Sequence, residues 1–537
     1  MSTAIHPVHM MSQTESSSRK QPDWGSFYQN GYPKEVIVIS SDEEDEGEGV
    51  DGTQENLKSA NVGPQGMLHA QDPRITSTLS NSSGKKRLLF SDNSSLGTTT
   101  SAGSSRTSTY YNSDYHYSST ELPDRNKKRR KHHHKSPSYT SPTKPVVKPK
   151  DIAVGVIPDK TALPSHQYDD QDGHYVVTAN SEFAGRYQIS KLLGQGTFGK
   201  VVAAYDKVAK KHCAIKIIRA VQKYRDASRI ELRVLSTLAK YDKQNSYRCI
   251  HLRDCFDYRN HICIVTDLLG ISIYDFMKAN GFHPFPGNHV QAFARQLFKS
   301  VSFLHDLSLV HTDLKPENIL LTDSSFDPKP YTPTRTARRS SNSTTAPATK
   351  IRNVLRNTEV HLIDFGSAIF NDEYHSSVVS TRHYRAPEII LGTGWSYPCD
   401  VWSIGCILIE FCTGEALFQT HDNLEHLALM EKIIGHKIDL DYAKYAASRS
   451  QGANFIDRKT GRVLYPNSSV KESSQKYVKS VQTLAQLIKQ IPGYKQNKVF
   501  WDQFLDLLKQ IFQYDPKNRI TAKQALKHPW FDYAAKE

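Results

Sequence analysis

Between His311 and Leu320 the chain places a carboxylate, an ammonium and a carboxamide within six residues, as Asp313, Lys315 and Asn318. Pro316 stiffens the turn, and the apolar Ile319 and Leu320 follow. That set suits the movement of a phosphoryl group. The carboxylate can accept or orient the proton of an attacking hydroxyl, the ammonium can steady the travelling charge, and the carboxamide can hold a metal ion. Asp313 and Asn318 stand five positions apart, a spacing that serves one reacting centre. A pattern this short also arises by chance, so the elements that would complete the site decide the matter.

The first such element is Leu193-Gly194-Gln195-Gly196-Thr197-Phe198-Gly199-Lys200-Val201. Glycines at 194, 196 and 199 let backbone approach phosphates where no Cβ intervenes. A lone G-x-G-x-x-G also fits a dinucleotide site, but that requires a helix to open at the third glycine. Here Lys200-Val-Val-Ala-Ala-Tyr205 reads as a strand, so the loop is expected at the tip of a hairpin. The next strand, His212–Ile218, puts Lys216 on one face with Ala214 and Ile218, a poor place for a solvated ammonium. In the helical run after Asp226, Glu231 shares its stripe with Val234, Leu235 and Leu238. Two inward-facing opposite charges are expected to pair, leaving Lys216 to reach the α- and β-phosphates of a nucleotide. His251-Leu-Arg-Asp254 imitates the 311–318 loop but lacks the Lys and Asn that should follow.

Downstream, a Ser/Thr/Arg-rich interruption over about 322–357 delays Asp364-Phe365-Gly366 to 51 residues past Asp313. Its composition cannot pack, so it is expected to loop out to the surface. Arg335–Ser341 within it suits either a partner contact or phosphorylation. Asp364 is the second expected metal ligand, holding Mg²⁺ against the β- and γ-phosphates. Glu388 is expected to pair with Arg519, and Asp400 to brace the backbone of the 311–318 loop.

From here a specific resemblance emerges. His311-Thr-Asp-Leu-Lys-Pro-Glu-Asn318, Ser380-Thr-Arg-His-Tyr-Arg-Ala-Pro-Glu388, Phe418-Gln-Thr-His-Asp-Asn423 and Glu425-His-Leu-Ala-Leu-Met-Glu-Lys-Ile-Ile-Gly435 resemble a LAMMER (CDC-like, CLK) kinase of the CMGC group. The namesake hexapeptide stands here as Leu427–Lys432, departing conservatively at Leu429 and Lys432. The resemblance covers about residue 187 to Phe531 and fades back to Asp169. It implies an α+β bilobal kinase fold: a small antiparallel-sheet lobe with one main helix, then a larger, mostly helical lobe. It further implies ATP and Mg²⁺, with Thr266 as gatekeeper, a hinge over Asp267–Leu269 against adenine, and Leu193, Val201 and Ala214 beside it. The implied activity is dual-specificity, on Ser/Thr of substrates and on Tyr in autophosphorylation, with Arg/Ser-rich proteins as substrates. Two departures weaken the inference of Arg/Ser-rich splicing proteins as substrates: the N-terminus has no extended Arg-Ser repeat, and residues 187–537 carry a net charge of +15. A groove for arginine-rich peptides must therefore be locally acidic. Thr312 occupies a place where many kinases have an Arg that clamps an activation-segment phosphate, so activity is expected without that phosphate. Thr381 is then expected to support the loop near Asp313.

Residues 1–150 are rich in Ser, Thr, Asn, Gly and Pro and read as a disordered tail. Residues 151–186 read as a linker, 187–531 as the catalytic domain and 532–537 as a terminal tail. Val36-Ile37-Val38-Ile39, followed by the acidic run 42–46, resembles a SUMO-interacting motif adding a strand to a partner's sheet; a chance apolar tetrad is the other reading. Lys127–Lys131 reads as a nuclear localisation signal or as a solvated charge run. Residence in the nucleus, and also in the cytoplasm, is the expectation. No run of 18 apolar residues is present, so no membrane span is expected. The seven cysteines form no C-x-x-C pair and are expected as buried thiols. The chain is expected to act as a monomer.

Two functions compete with an active kinase: an inactive scaffold of the same fold, and a nucleic-acid binder driven by the +14 net charge. The first is disfavoured by the presence of every expected site residue. The second lacks a platform of aromatics among the basic residues, so direct nucleic-acid binding is not expected.

Overall fold

The computed structural model describes residues 146–160, 168–331 and 349–535, together with Ser141 and a backbone ladder pairing Tyr28–Gln29 with Tyr32–Pro33. The Val36–Ile39 motif, the 127–131 basic run and Arg335–Ser341 lie outside the described residues.

The amino-terminal lobe is a seven-stranded sheet with one long helix. Its strands are β1 (Gly155–Ile157), β2 (Glu182–Phe183), β3 (Tyr187–Gly196), β4 (Gly199–Asp206), β5 (Lys211–Ile218), β6 (Leu252–Tyr258) and β7 (His261–Asp267), in the spatial order β1-β6-β7-β5-β4-β3-β2. All neighbours are antiparallel except β1, which runs parallel to β6. On β5, Cys213, Ile215 and Ile217 are buried in an outer apolar cluster, while Ala214 and Lys216 fall on the opposite face. Helix α1 (Gln222–Tyr241) buries Leu232, Val234, Leu235 and Leu238 beside Glu231. The decoy residues Arg253 and Asp254 lie within β6, where Asp254 pairs with Arg186 at 2.7 Å.

The carboxyl-terminal lobe is built on α5 (Pro398–Thr413), 14 of whose residues are buried. A helix apolar all round must be enclosed. Around it lie α2 (Ile273–Ala279), α3 (Gly287–Asp306), α4 (Pro387–Leu391), α6 (Asn423–Ile434), α7 (Leu440–Ser448), α8 (Glu472–Ser480), α9 (Leu484–Lys489), α10 (Lys498–Ile511) and α11 (Ala522–Ala525). Three short two-stranded ladders accompany these helices. They involve β8 (Leu309–Val310) with β13 (Ile369–Phe370), and β9 (Ile319–Leu321) with β12 (Val360–Leu362), while β10 (Phe326–Tyr331) pairs with β11 (Lys350–Leu355).

Two sequence expectations change here. Residues 151–186 are not a bare linker: β1 extends the sheet, and Tyr175 and Phe183 are buried in its outer cluster. The 322–357 interruption does not simply loop out, because β10 and β11 form a hairpin that buries Val354 and Leu355. Pro328 and Pro330 sit two apart in β10, so both missing N–H groups fall on one edge of the strand.

The expected Glu388–Arg519 pair is present and wholly buried, with Arg519 Nη1 and Nη2 donating to the carboxylate at 2.7 and 2.9 Å. Removing the cation would leave a carboxylate in the core without a counter-charge. Arg519→Met is expected to cost roughly 3–5 kcal/mol, read as a fall in Tm.

Candidate active site

Each lobe contributes one half of the site. From β5, Lys216 Nζ donates to both Glu231 oxygens at 2.9 and 3.0 Å and to Asp364 Oδ1 at 3.2 Å. A Cβ placed on Gly366 would lie within 4 Å of all three groups, which measures how tightly they converge. Burial alone would lower the Lys216 ammonium, but Glu231 and Asp364 outweigh it and hold it well above its ordinary range. The Asp364 carboxyl is in turn held low by Lys216, against its own burial. Lys216 stays a cation and Asp364 an anion, as a phosphate-binding ammonium and a metal-binding carboxylate require.

The other half is the 311–318 loop. Asp400, 1% exposed, accepts the backbone N–H of His311 and of Thr312, both at 2.9 Å, and His305 Nε2 lies 3.0 Å away. The bracing read from the sequence is therefore direct. Asp313 meets Lys315 Nζ at 2.9 Å and accepts from Thr381 through its N–H at 3.0 Å and its hydroxyl at 2.7 Å. Lys315 also donates to Thr381 Oγ1 at 3.1 Å. Thr381 thus supports Asp313, as expected. Asn318 Nδ2 donates to the Asp313 carbonyl at 2.9 Å, which turns the amide so that its oxygen is the atom suited to a cation. The β9–β12 ladder pairs Ile319 with Leu362, and Ile363 N–H donates to the Asn318 carbonyl at 2.9 Å. Asn318 and Asp364 are thereby neighbours, two oxygen donors of the kind Mg²⁺ takes.

Three non-glycine residues with left-handed backbone cluster here: Thr312 at φ 70°, Asp364 at 59° and Ser380 at 67°. Such strain persists where surroundings over-determine it. Thr312 Oγ1 donates to the Ser367 carbonyl at 2.9 Å, and Ser380 Oγ to the Thr312 carbonyl at 2.5 Å.

The nucleotide-side residues fall in place with two refinements. Ala214 pairs with Thr266 and Val201 with Lys216 in the ladder, and Leu193 is 45% exposed near the loop tip. The Asp267 side chain is engaged by Arg253 at 3.0 Å and Lys211 at 3.4 Å, so only its backbone is placed to serve a base, with Leu269 following. The glycines divide their labour. A Cβ on Gly194 or Gly196 meets open space, whereas one on Gly199 would lie 2.1 Å from the Ile217 carbonyl. Gly199 is demanded by close strand contact, whereas at the first two glycines the side-chain direction is open.

The protein kinase domain family matches residues 187–531. The dual specificity protein kinase lkh1 of Schizosaccharomyces pombe is 53% identical over 72% of this chain and 53% of its own length. The serine/threonine-protein kinase AFC3 of Arabidopsis thaliana is 46% identical over 68% of this chain and 86% of its own, and human dual specificity protein kinase CLK1 is 41% identical over 68% and 70%. The chain belongs to the LAMMER family of protein kinases. A solved kinase domain matches with TM-score 0.60 and 31% identity over 67% of this chain and all of that chain. The chain spans little more than half the length of its S. pombe relative.

The family hexapeptide 427–432 lies in α6, where Leu429 is fully buried and Lys432 stands in the last turn. An apolar side chain in the core and a cation at a helix C-terminus both suit their places, so neither departure disturbs the fold.

Beneath the segment following Thr381, Tyr384 Oη donates to Glu410 Oε2 at 2.7 Å. Burial lifts the Glu410 carboxyl to about 7 from an ordinary 4.5, against that hydrogen bond. A carboxyl raised in the folded state holds more protons there than when unfolded, so stability falls as pH climbs between those values and stays reduced above them. Glu410→Gln abolishes this titration. The variant is expected to exceed the parent by about 3 kcal/mol at pH 8 and to match it near pH 4.5, measured as the Tm difference across pH.

Proposed function

We propose that this kinase transfers the γ-phosphate of ATP, with Mg²⁺, to Ser and Thr of protein substrates, and to its own Tyr. The observation that carries the reading is the junction at Asp364: Lys216, paired with Glu231, meets it from one lobe, while Asn318, bonded to the Asp313 carbonyl, is brought beside it from the other. Asp313 is placed to orient and accept the proton of the substrate hydroxyl, and Lys315, shared between Asp313 and Thr381, to steady the charge on the moving group. Asn318 and Asp364 would hold the metal, which supplies charge neutralisation at the phosphates. A scaffold without chemistry has no use for so complete a set.

Arg/Ser-rich proteins are the proposed substrates. Exposed Glu317 lies within the loop, and Asp313 and Asp275 are close enough for their charges to act on it. These carboxylates supply acidity beside the reacting centre of a domain whose net charge is +15. Phosphorylation of an arrayed peptide library by the full-length chain, with Lys216→Ala as the blank, tests the assignment. Arg-rich peptides are expected to outcompete Pro-directed ones, and Glu317→Gln to raise KM for the Arg-rich set roughly tenfold with kcat held. Equal use of both sets would reject the substrate class, and no turnover above the blank would reject the activity.

Nuclear and cytoplasmic residence, guided by Lys127–Lys131, and recognition of a SUMO-type modifier by Val36–Ile39 belong to the same proposal, as does action as a monomer on protein and not on nucleic acid. Support for these comes from residue type and order alone.

Thr312 spends its hydroxyl on the Ser367 carbonyl and offers no cation for a phosphate. Phosphatase treatment of the purified enzyme is expected to leave at least half of its turnover; near-complete loss would contradict the role assigned to Thr312.

A further inference from the structure

Helix α1 must hold Glu231 against Lys216 for the nucleotide site to form. Two residues on, Arg233 is 1% exposed and points the other way, towards the activation segment. Its Nη2 donates to Glu373 Oε1 at 2.7 Å, with both side chains 1% exposed. Its Nε donates to the Pro149 carbonyl at 3.0 Å, and its guanidinium lies 5.5 Å from the Phe370 ring centre. Glu373 stands nine residues beyond Asp364, on the stretch that a phosphate would otherwise have to anchor.

Pro149 belongs to a stretch read from the sequence as part of a disordered tail. In the structure it runs behind α1. Lys148 pairs with Asp372 and lies 5.0 Å over Phe370. Val147 N–H donates to Tyr241 Oη, in the last turn of α1, at 2.7 Å. Asp151 meets Arg229 of α1 at 3.5 Å. Val146, Ile152 and Val154 pack on the main core, and β1 then joins the sheet at β6. One short stretch of chain therefore touches the activation segment, α1 from Arg229 to Tyr241, and the sheet.

We propose that residues 146–157 act as a built-in activator: through Arg233 and Glu373 they fix α1 to the activation segment, so that Glu231 is delivered to Lys216 without any phosphate. Arg233 and Glu373 are positioning residues acting through Glu231, and the carboxylate of Glu373 occupies the role a phosphoryl group would play. The proposal explains how a kinase with Thr312 in place of a phosphate-clamping cation keeps its segment ordered. It also makes 146–157 a control point, because anything that lifts this stretch off α1 lowers activity from a distance. The inference rests on the kinase activity proposed above, and the parent enzyme's own turnover, measured alongside, separates failure of one from failure of the other.

The test uses the full chain carrying Lys148→Glu with Ile152→Asp, which sets a like charge against Asp372 and Glu373 and breaks the packing on the core. The expected result is a kcat at least tenfold lower and a higher KM for ATP, with KM for peptide unchanged. A synthetic peptide of residues 144–159 added in excess is expected to restore turnover. Combined with Glu231→Gln, the pair is expected to cost nothing beyond Glu231→Gln alone, since both break the same link. Turnover within twofold of the parent, losses that multiply with Glu231→Gln, or a loss that the peptide leaves unrepaired would each overturn the proposal. Glu373→Gln, which keeps the side-chain shape, is expected to reproduce the kcat loss with the KM for peptide again unchanged; turnover equal to the parent would remove Glu373 from the argument.

Discussion

Charge taken out of water has to be matched, and that constraint organises this molecule. Lys216 lies between two carboxylates, one from helix α1 and one from the start of the activation segment. Glu231, 5% exposed, is not tolerable there without a cation. The attraction among the three draws the sheet, the helix and the activation segment to one point. Arg233 with Glu373 and Arg519 with Glu388 repeat the device deeper in the molecule. Each of these ties elements far apart in sequence, so the ion pairs act as registration marks between segments whose apolar packing alone would allow some sliding.

Backbone strain is the counterpart of this order. Thr312, Asp364 and Ser380 all hold left-handed conformations that a side chain resists, and all three lie around the reacting centre. The compensation comes from hydrogen bonds between these same segments, such as Ser380 to the Thr312 carbonyl. Strain and its restraint are concentrated where a displacement of an ångström would matter most.

Much of the site was legible because its signals are local. Lys216 and Glu231 betray themselves by standing on apolar faces at strand and helix period, and the 311–318 loop is read from residue types within a few positions. The gatekeeper and hinge came only through family resemblance, since nothing about Thr266 in isolation announces its place. What stayed hidden depends on partners remote in sequence. Arg233 looks like an ordinary helix cation until Glu373, 140 positions away, is seen beside it. Residues 146–157 mix Pro and Lys with short apolar steps, so they read as the end of a tail and the start of a linker, and their order comes from the helix they lie on. The β10–β11 hairpin was masked in the same way by Pro328 and Pro330, which lower strand propensity without forbidding an edge. Gly199 carries a second reason that its spacing did not reveal, the closeness of the Ile217 carbonyl, which leaves no room for a Cβ.

Asp400 has one more implication. Because a carboxylate on α5 grips the His311 and Thr312 amides, the placement of Asp313 is inherited from the helical interior. The nucleotide-side ammonium is instead carried by β5 and held by a carboxylate of α1. Under the proposed transfer, exchange of nucleotide beside Lys216 need not disturb the loop that carries Asp313.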